Sequence, residues 1–332
     1  MKASFPRWLC ALPTLLLGSL AVADDTSPCA QKGTPERPII PFTGNSDIRR
    51  IIEVSATIAG SPVHHFQIDT GSAATIVPLA ILPADIRAKA KTQKLEDYGY
   101  MSSGNTYKGF WVDARVEVMN ASPAVTVQMP VFAVVDPPTF KGGMMGIRYD
   151  LGDPARNPLL NIADSQGKKI TSGYTLWPKC IQVGVSDTPE PGFEFISLTR
   201  KDDTHWNQPK GEVSLPGTSY TFEQFVLLDT GLNHMLLMGK GSKLPNQLQL
   251  QNSDFPAGTS VKVTIPPTSS KARPVLTYEF KSAEPSRKSR LGTVKWDDQR
   301  QGINTGILPF AEWAYTFDNA HGRVGFKHLT TQ

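Results

Sequence analysis

The chain has 332 residues, 39% of them hydrophobic and 19% charged, enough apolar material for one or two cored domains and too much for wholesale disorder. Its formal net charge of +4 is small and neither sign is strung into long blocks, which excludes the electrostatic footprint of a nucleic-acid binder. The 27 glycines and 27 prolines favour a loop-rich β protein over a helical bundle.

Residues 1–23 read as a secretory signal. Lys2 and Arg7 supply a positive start, Trp8 to Leu20 is largely apolar, and Ala21-Val22-Ala23 fits the small-residue cleavage pattern. A membrane-anchoring helix is the alternative, but a bilayer needs roughly 20 apolar residues and the run over 8–21 is shorter. Cleavage would leave a chain that starts at Asp24, is secreted or periplasmic, has no membrane anchor and is expected as a monomer. It removes two bases and no acids, so the charge falls to +2 and strong electrostatic steering is not expected. Cys10 leaves with the signal. Cys29 and Cys180 remain, an even pair in an oxidising compartment, so one disulfide is expected, with two free thiols as the alternative.

Comparison of the chain with itself exposes a duplication. Phe66-Gln67-Ile68-Asp69-Thr70-Gly71-Ser72 recurs as Val226-Leu227-Leu228-Asp229-Thr230-Gly231-Leu232, each an apolar-rich run ending in Asp-Thr-Gly. Ala74 to Pro78 matches His234 to Met238 a fixed step later, and Gly146 and Gly306 each lie 77 residues beyond their Asp. An apolar strand ending in Asp-Thr-Gly delivers a carboxylate into a dry place, with glycine letting the backbone turn tightly. No Lys or Arg stands within six residues of Asp69 or Asp229, so an isolated carboxylate there would be costly. If the copies face each other across a pseudo-twofold axis, Asp69 and Asp229 meet and share one proton.

On these motifs the chain resembles the pepsin-like aspartic proteases of the single-chain, two-lobed kind. Ala56 to Pro62 with Phe66 to Ser72 is similar to that family's first hairpin and catalytic loop. His205-Trp206-Asn207 before Gly211 to Leu215 resembles the entry to its second lobe, and Ile307 to Phe310 through Gly322 to Phe326 its closing helix and hairpin. The resemblance implies an all-β fold of two pseudo-twofold related lobes with short helices. It divides the chain into a signal (1–23), an N-terminal lead (24–46), a first lobe (47–185), a connection (186–210) and a second lobe (211–332). It also implies endopeptidase action on a polypeptide, with no metal or other cofactor: Asp69 and Asp229 activate a water, one as base and the other as hydrogen-bond donor to the scissile carbonyl. Thr70 and Thr230 would brace the loops, with Gly71, Ser72 and Gly231 as further loop support.

Two departures from the family pattern bear on function. The residue after each Asp-Thr-Gly usually carries a hydroxyl that bonds the adjacent carboxylate; Ser72 fits and Leu232 does not. A missing donor should raise the pair's apparent pKa values, giving an optimum less acidic than a gastric enzyme's. Asn304-Thr305-Gly306 is also more polar than the apolar-apolar-Gly usual there. These departures keep open a second reading, a pepsin-fold module that binds or inhibits polypeptides without cleaving them. By resemblance Tyr100, with Tyr98 close behind, is the flap tyrosine over the cleft, on a hairpin turned by Ser103-Gly104-Asn105; a tyrosine that only packs is the alternative. The lead is short for a pro-segment that plugs a cleft, so no activation step is expected.

The other constellations point to no chemistry. His64-His65 has no partner at metal spacing and reads as strand surface, and His234 reads as packing or capping. Gly239-Lys240-Gly241 lacks the rest of a phosphate motif, and no Gly-x-Ser-x-Gly elbow occurs. Lys281 to Arg290 reads as a surface loop.

Overall fold

A computed structural model describes residues 27–44, 48, 51–100, 104–164, 167–246, 248–284 and 291–329. The signal segment 1–23 lies outside these, as does most of the 281–290 loop. The described residues are nearly all β, with one α-helix, Ala84–Lys89, and several single 3₁₀ turns among them. The strands follow the two-residue period of a half-buried sheet. In Thr106–Val118, Val112, Ala114 and Val116 point into the core while Asp113 and Arg115 face outward.

Three sheets organise the chain. The first has seven strands from one stretch of sequence, in the spatial order Glu53–Ile58, His64–Asp69, Met144–Gly146, Thr75–Pro78, Val125–Asp136, Thr106–Val118, Glu96–Gly99. The second also has seven: Leu276–Lys281, Ser260–Ile265, Lys210–Ser214, Thr221–Leu227, Gln301–Asn304, Met235–Gly239, Val294–Asp297.

The sequence repeat is a repeat of topology. In the first sheet the Asp69 strand runs parallel to Met144–Gly146, with Asp69 opposite Gly146. That short strand runs antiparallel to Thr75–Pro78, which lies parallel to Val125–Asp136. In the second sheet Thr221–Leu227 runs parallel to Gln301–Asn304, which runs antiparallel to Met235–Gly239, itself parallel to Val294–Asp297. The distal glycines have one job in both copies. A Cβ at Gly146 would stand 2.6 Å from main-chain atoms of Ser72 and Ala74, and one at Gly306 would stand 2.3 Å from the His234 carbonyl and 2.8 Å from that of Leu232. The equal 77-residue offsets thus mark where each returning strand crosses the loop after Asp-Thr-Gly with no room for a side chain.

The third sheet belongs to neither half alone. Its six strands are Ile39–Pro41, Cys180–Val183, Gly173–Leu176, Trp313–Asp318, Arg323–His328 and Glu194–Ser197. The segment 24–46 is therefore more than a loose lead: Ile39–Pro41 pairs with Cys180–Val183, and a disulfide joins Cys29 to Cys180. The connection 186–210 likewise contains a strand, Glu194–Ser197, paired with Arg323–His328. The closing segment expected as a helix is a 3₁₀ turn, Leu308–Ala311. One continuous apolar cluster runs from Ile40 through Phe66, Val226 and Phe317 to Phe326, so the halves share a core.

Candidate active site

Each Asp-Thr-Gly sits where a strand leaves its sheet, and the two loops interlock. The Thr70 N–H donates to Thr230 Oγ1 (3.1 Å), and the Thr230 N–H to Thr70 Oγ1 (2.9 Å). The hydroxyls donate onward across the same divide, Thr70 to the Leu228 carbonyl (2.6 Å) and Thr230 to that of Ile68 (2.8 Å). All four bonds join chain segments at least 158 residues apart, and every group is buried, where an unmade bond is costly.

The carboxyl groups of Asp69 and Asp229 meet where the loops cross, each set against the glycine of the opposite motif, and the residues are 5% and 4% exposed. Each accepts its own glycine N–H at Oδ1, Gly71 to Asp69 at 2.7 Å and Gly231 to Asp229 at 2.9 Å. Burial first, and then the charge of Asp229, hold Asp69 well above the usual carboxylate range. The glycines serve here by their size. Neither has a left-handed φ, yet a Cβ on Gly71 would lie 2.5 Å from Asp229 Cγ and one on Gly231 2.4 Å from Asp69 Cγ. The chain turns tightly at each motif as expected, Ser72 N–H to the Asp69 carbonyl and Leu232 N–H to that of Asp229 (both 3.3 Å), and each glycine also supplies room for the opposing carboxyl.

A cation does approach the pair, from a distance in sequence that local spacing could not reveal. Arg148, two residues past Gly146, interacts electrostatically with both aspartates. It forms a two-pronged ion pair with buried Asp150, Nε to Oδ1 at 2.5 Å and Nη2 to Oδ2 at 2.8 Å, and its Nη1 reaches the Gly71 carbonyl at 3.4 Å. Burial opposes charge on Asp150, but Arg148, Gln208 and Lys201 outweigh it and hold that carboxyl below its ordinary value. The Gln208 amide donates to Asp150 (3.0 Å) and Lys201 Nζ to its main-chain carbonyl (2.7 Å), tying the 201–208 segment to the floor beneath the pair.

Ser72 and Leu232, the residues after the two motifs, behave differently from the family pattern. The Ser72 hydroxyl donates to Tyr100 Oη at 3.1 Å and reaches the Ala74 carbonyl at 3.4 Å, rather than bonding Asp69. Leu232 makes main-chain contacts, its carbonyl accepting from the Ile307 N–H (2.8 Å). The donor missing there comes from elsewhere: the Asn304 amide donates to Asp229 Oδ2 at 2.6 Å. The absent donor on which a less acidic optimum was argued is thus supplied at Asp229, while Asp69 goes without the Ser72 hydroxyl. Asn304 is the repeat partner of Met144, and a polar side chain where the other copy is apolar was the available signal.

A cavity of about 700 Å³ opens beside the pair, lined by Asp229 and by Gly71 and Ser72 of the facing loop. Tyr98 and Tyr100 line it from the first half, and Phe225, Asp229 and Met238 from the second. Tyr98 pairs with Tyr107 across a hairpin whose turn is held by the Tyr100 N–H to Asn105 carbonyl bond (2.8 Å). Both tyrosines pack in an aromatic group with Tyr107, Trp111 and Phe132, so they close one wall as well as face the opening. Residues 101–103, which include Ser103 of the expected turn, lie outside the described residues. Arg148, Lys201, Lys240 and Arg300 also line the cavity, against the acids Asp150 and Asp229.

The histidines stand apart from this chemistry. His64 packs edge-on against Phe66, His65 bonds the Ser55 hydroxyl (3.1 Å), and His234 bonds Asn233 (3.3 Å). Among the described residues no group of three or more His, Cys, Asp or Glu could hold a metal ion. No helix among them is long and apolar enough to cross a membrane. No protein-family model matches the sequence, and no curated protein does.

Proposed function

We propose that this chain is an aspartic endopeptidase of the pepsin-like, two-lobed kind, exported from the cell that makes it. The observation that carries the reading is the meeting of two buried carboxyls from the two copies of one repeat, each set against the glycine of the opposite loop, with Asp229 lining a cavity. Two carboxyls in that contact keep one proton between them over a broad pH range. In that state one is a base and the other an acid. The base takes a proton from a water molecule as its oxygen attacks the scissile carbonyl carbon, and the acid gives its proton to the carbonyl oxygen. Collapse of the resulting diol returns the proton pattern: the peptide nitrogen gains a proton as the C–N bond breaks, leaving a carboxyl and an amine. The four-bond brace between the loops supports the role, because it fixes both carboxyls before substrate arrives.

The cavity is apolar along Phe225, Leu236 and Met238, which suits an extended peptide with apolar side chains near the cleaved bond. The rival reading, a binding or inhibitory module, drew on the missing hydroxyl at Leu232 and on the polar Asn304-Thr305-Gly306; the Asn304 amide, by donating to Asp229, speaks for the enzyme on both points. The test is cleavage of denatured protein and of a peptide library by the purified chain, with Asp69→Asn and Asp229→Asn alongside. Cleavage that both variants abolish and a statine-type inhibitor blocks supports the enzyme. A folded wild-type chain inert from pH 3 to 7 refutes it and favours the module.

A further inference from the structure

The two halves of the pair are not equivalent. Each aspartate has one glycine N–H at Oδ1, but Asp229 alone has a second donor, the Asn304 amide at Oδ2 (2.6 Å). The orientation of that amide is locked, because Asn304 Oδ1 accepts from the Gly306 N–H at 2.9 Å, which leaves only the NH₂ face to meet Asp229. Asn304 is 2% exposed and sits on the strand paired with Leu227, so it has no freedom to swing away. The equivalent position of the first copy, Met144, has no such donor to offer.

We propose that Asn304 is a positioning residue that sets the polarity of the pair, keeping Asp229 as the ionised base and leaving the proton on Asp69 as the acid. The inference rests on the endopeptidase reading above. An N–H donor at Oδ2, with another at Oδ1, occupies Asp229 as an acceptor on both oxygens, which is the pattern a carboxylate needs and a carboxylic acid wastes. Asp69, with a single such donor and raised well above the usual range by burial and by Asp229, takes the proton. The other groups facing the pair are the Arg148–Asp150 ion pair beneath it and the phenols of Tyr98 and Tyr100 beside Ser72. Across the cavity stand Lys201, Lys240 and Arg300. Arg148 acts on both aspartates and so does not choose between them.

The test has one arm that needs no turnover. In carbon-13 titrations of the side-chain carboxyls, assigned with Asp69→Asn and Asp229→Asn, the wild-type chain should show Asp229 ionising at lower pH than Asp69. The reverse order overturns the proposal, whether or not the protein cleaves peptides. In the kinetic arm, Asn304→Leu should move the acid limb of the kcat/KM profile up by about one to two pH units, the worth of a hydrogen bond to a charged group. Asn304→Asp keeps the shape but adds a third carboxyl, whose like charge should push the alkaline limb up as well. Reduced activity with both limbs unmoved in both variants would mean that Asn304 merely packs, and overturns the proposal. If the titration order is as stated and no peptide is cleaved, the endopeptidase reading fails and the polarity stands.

Discussion

The interlocked glycines permit a sharp test of the site, because one added methyl group acts there by volume alone. In Gly71→Ala the new Cβ would lie 2.5 Å from Asp229 Cγ, whereas ordinary contact begins near 3.4 Å, so the carboxyl must retreat by about 0.9 Å or the loop must give way. The φ of Gly71 is outside the left-handed region, so alanine adds no backbone strain, and the four threonine bonds resist movement of the loop. A displacement of about 1 Å in a reacting group costs on the order of 10²-fold in rate. That corresponds to about 2.7 kcal/mol of lost transition-state stabilisation. Gly231→Ala, with its Cβ 2.4 Å from Asp69 Cγ, should lose as much. The assay is kcat and KM on a fluorogenic peptide, with circular dichroism to show that each variant is folded. Folded Gly71→Ala with wild-type turnover would show that the carboxyls do not need the geometry described.

Further outcomes follow from the same structure. Asp69 has a raised folded pKa, so its contribution to stability is full below about pH 3.9, the unfolded value, and is lost as pH rises through the folded one. Asp69→Asn should therefore melt above the wild type at pH 7 and lose that advantage near pH 3 by calorimetry; an equal gap at both pH values would contradict the burial argument. Arg148→Met leaves Asp150 buried without its partner and should cost about 3–5 kcal/mol at pH 7 in denaturant titrations, less at pH 3 where Asp150 can protonate. Replacing Cys29 and Cys180 by serine frees a 151-residue loop, with a loss of up to about 5 kcal/mol expected from chain entropy. Peptides with Asp or Glu near the cleaved bond should show a lower KM than lysine-bearing ones, with the gap narrowing in high salt, because four cations line the cavity.

What could be read in advance divides along physical lines. Local pattern and repetition carried the β class, the two Asp-Thr-Gly loops and their 77-residue glycine offsets, because strand alternation and internal duplication are written in consecutive residues. The cysteine pair followed from compartment and number. Arg148 was out of reach: its approach to the aspartates depends on which strand lies beside which, and Met144–Gly146 runs next to the Asp69 strand although 75 residues separate Met144 from Asp69. Asn304 was noticed only as a misfit in an apolar motif, since its hydrogen bond exists only once Gln301–Asn304 is paired beside Leu227. Ile39–Pro41 looked like part of a polar lead because three residues are too few to show a period. Its role comes from its partner strand, Cys180–Val183.

The six-stranded sheet joins Ile39–Pro41, near the beginning, to Trp313–Asp318 and Arg323–His328, near the finish. Synthesis from the N-terminus releases those last strands after both aspartates have already emerged. Until they arrive, the bridging sheet is missing the strands that seat Glu194–Ser197 and cover Gly173–Leu176. The sheet that ties the two halves together is thus completed only by strands made after both Asp-Thr-Gly segments, which orders its assembly last.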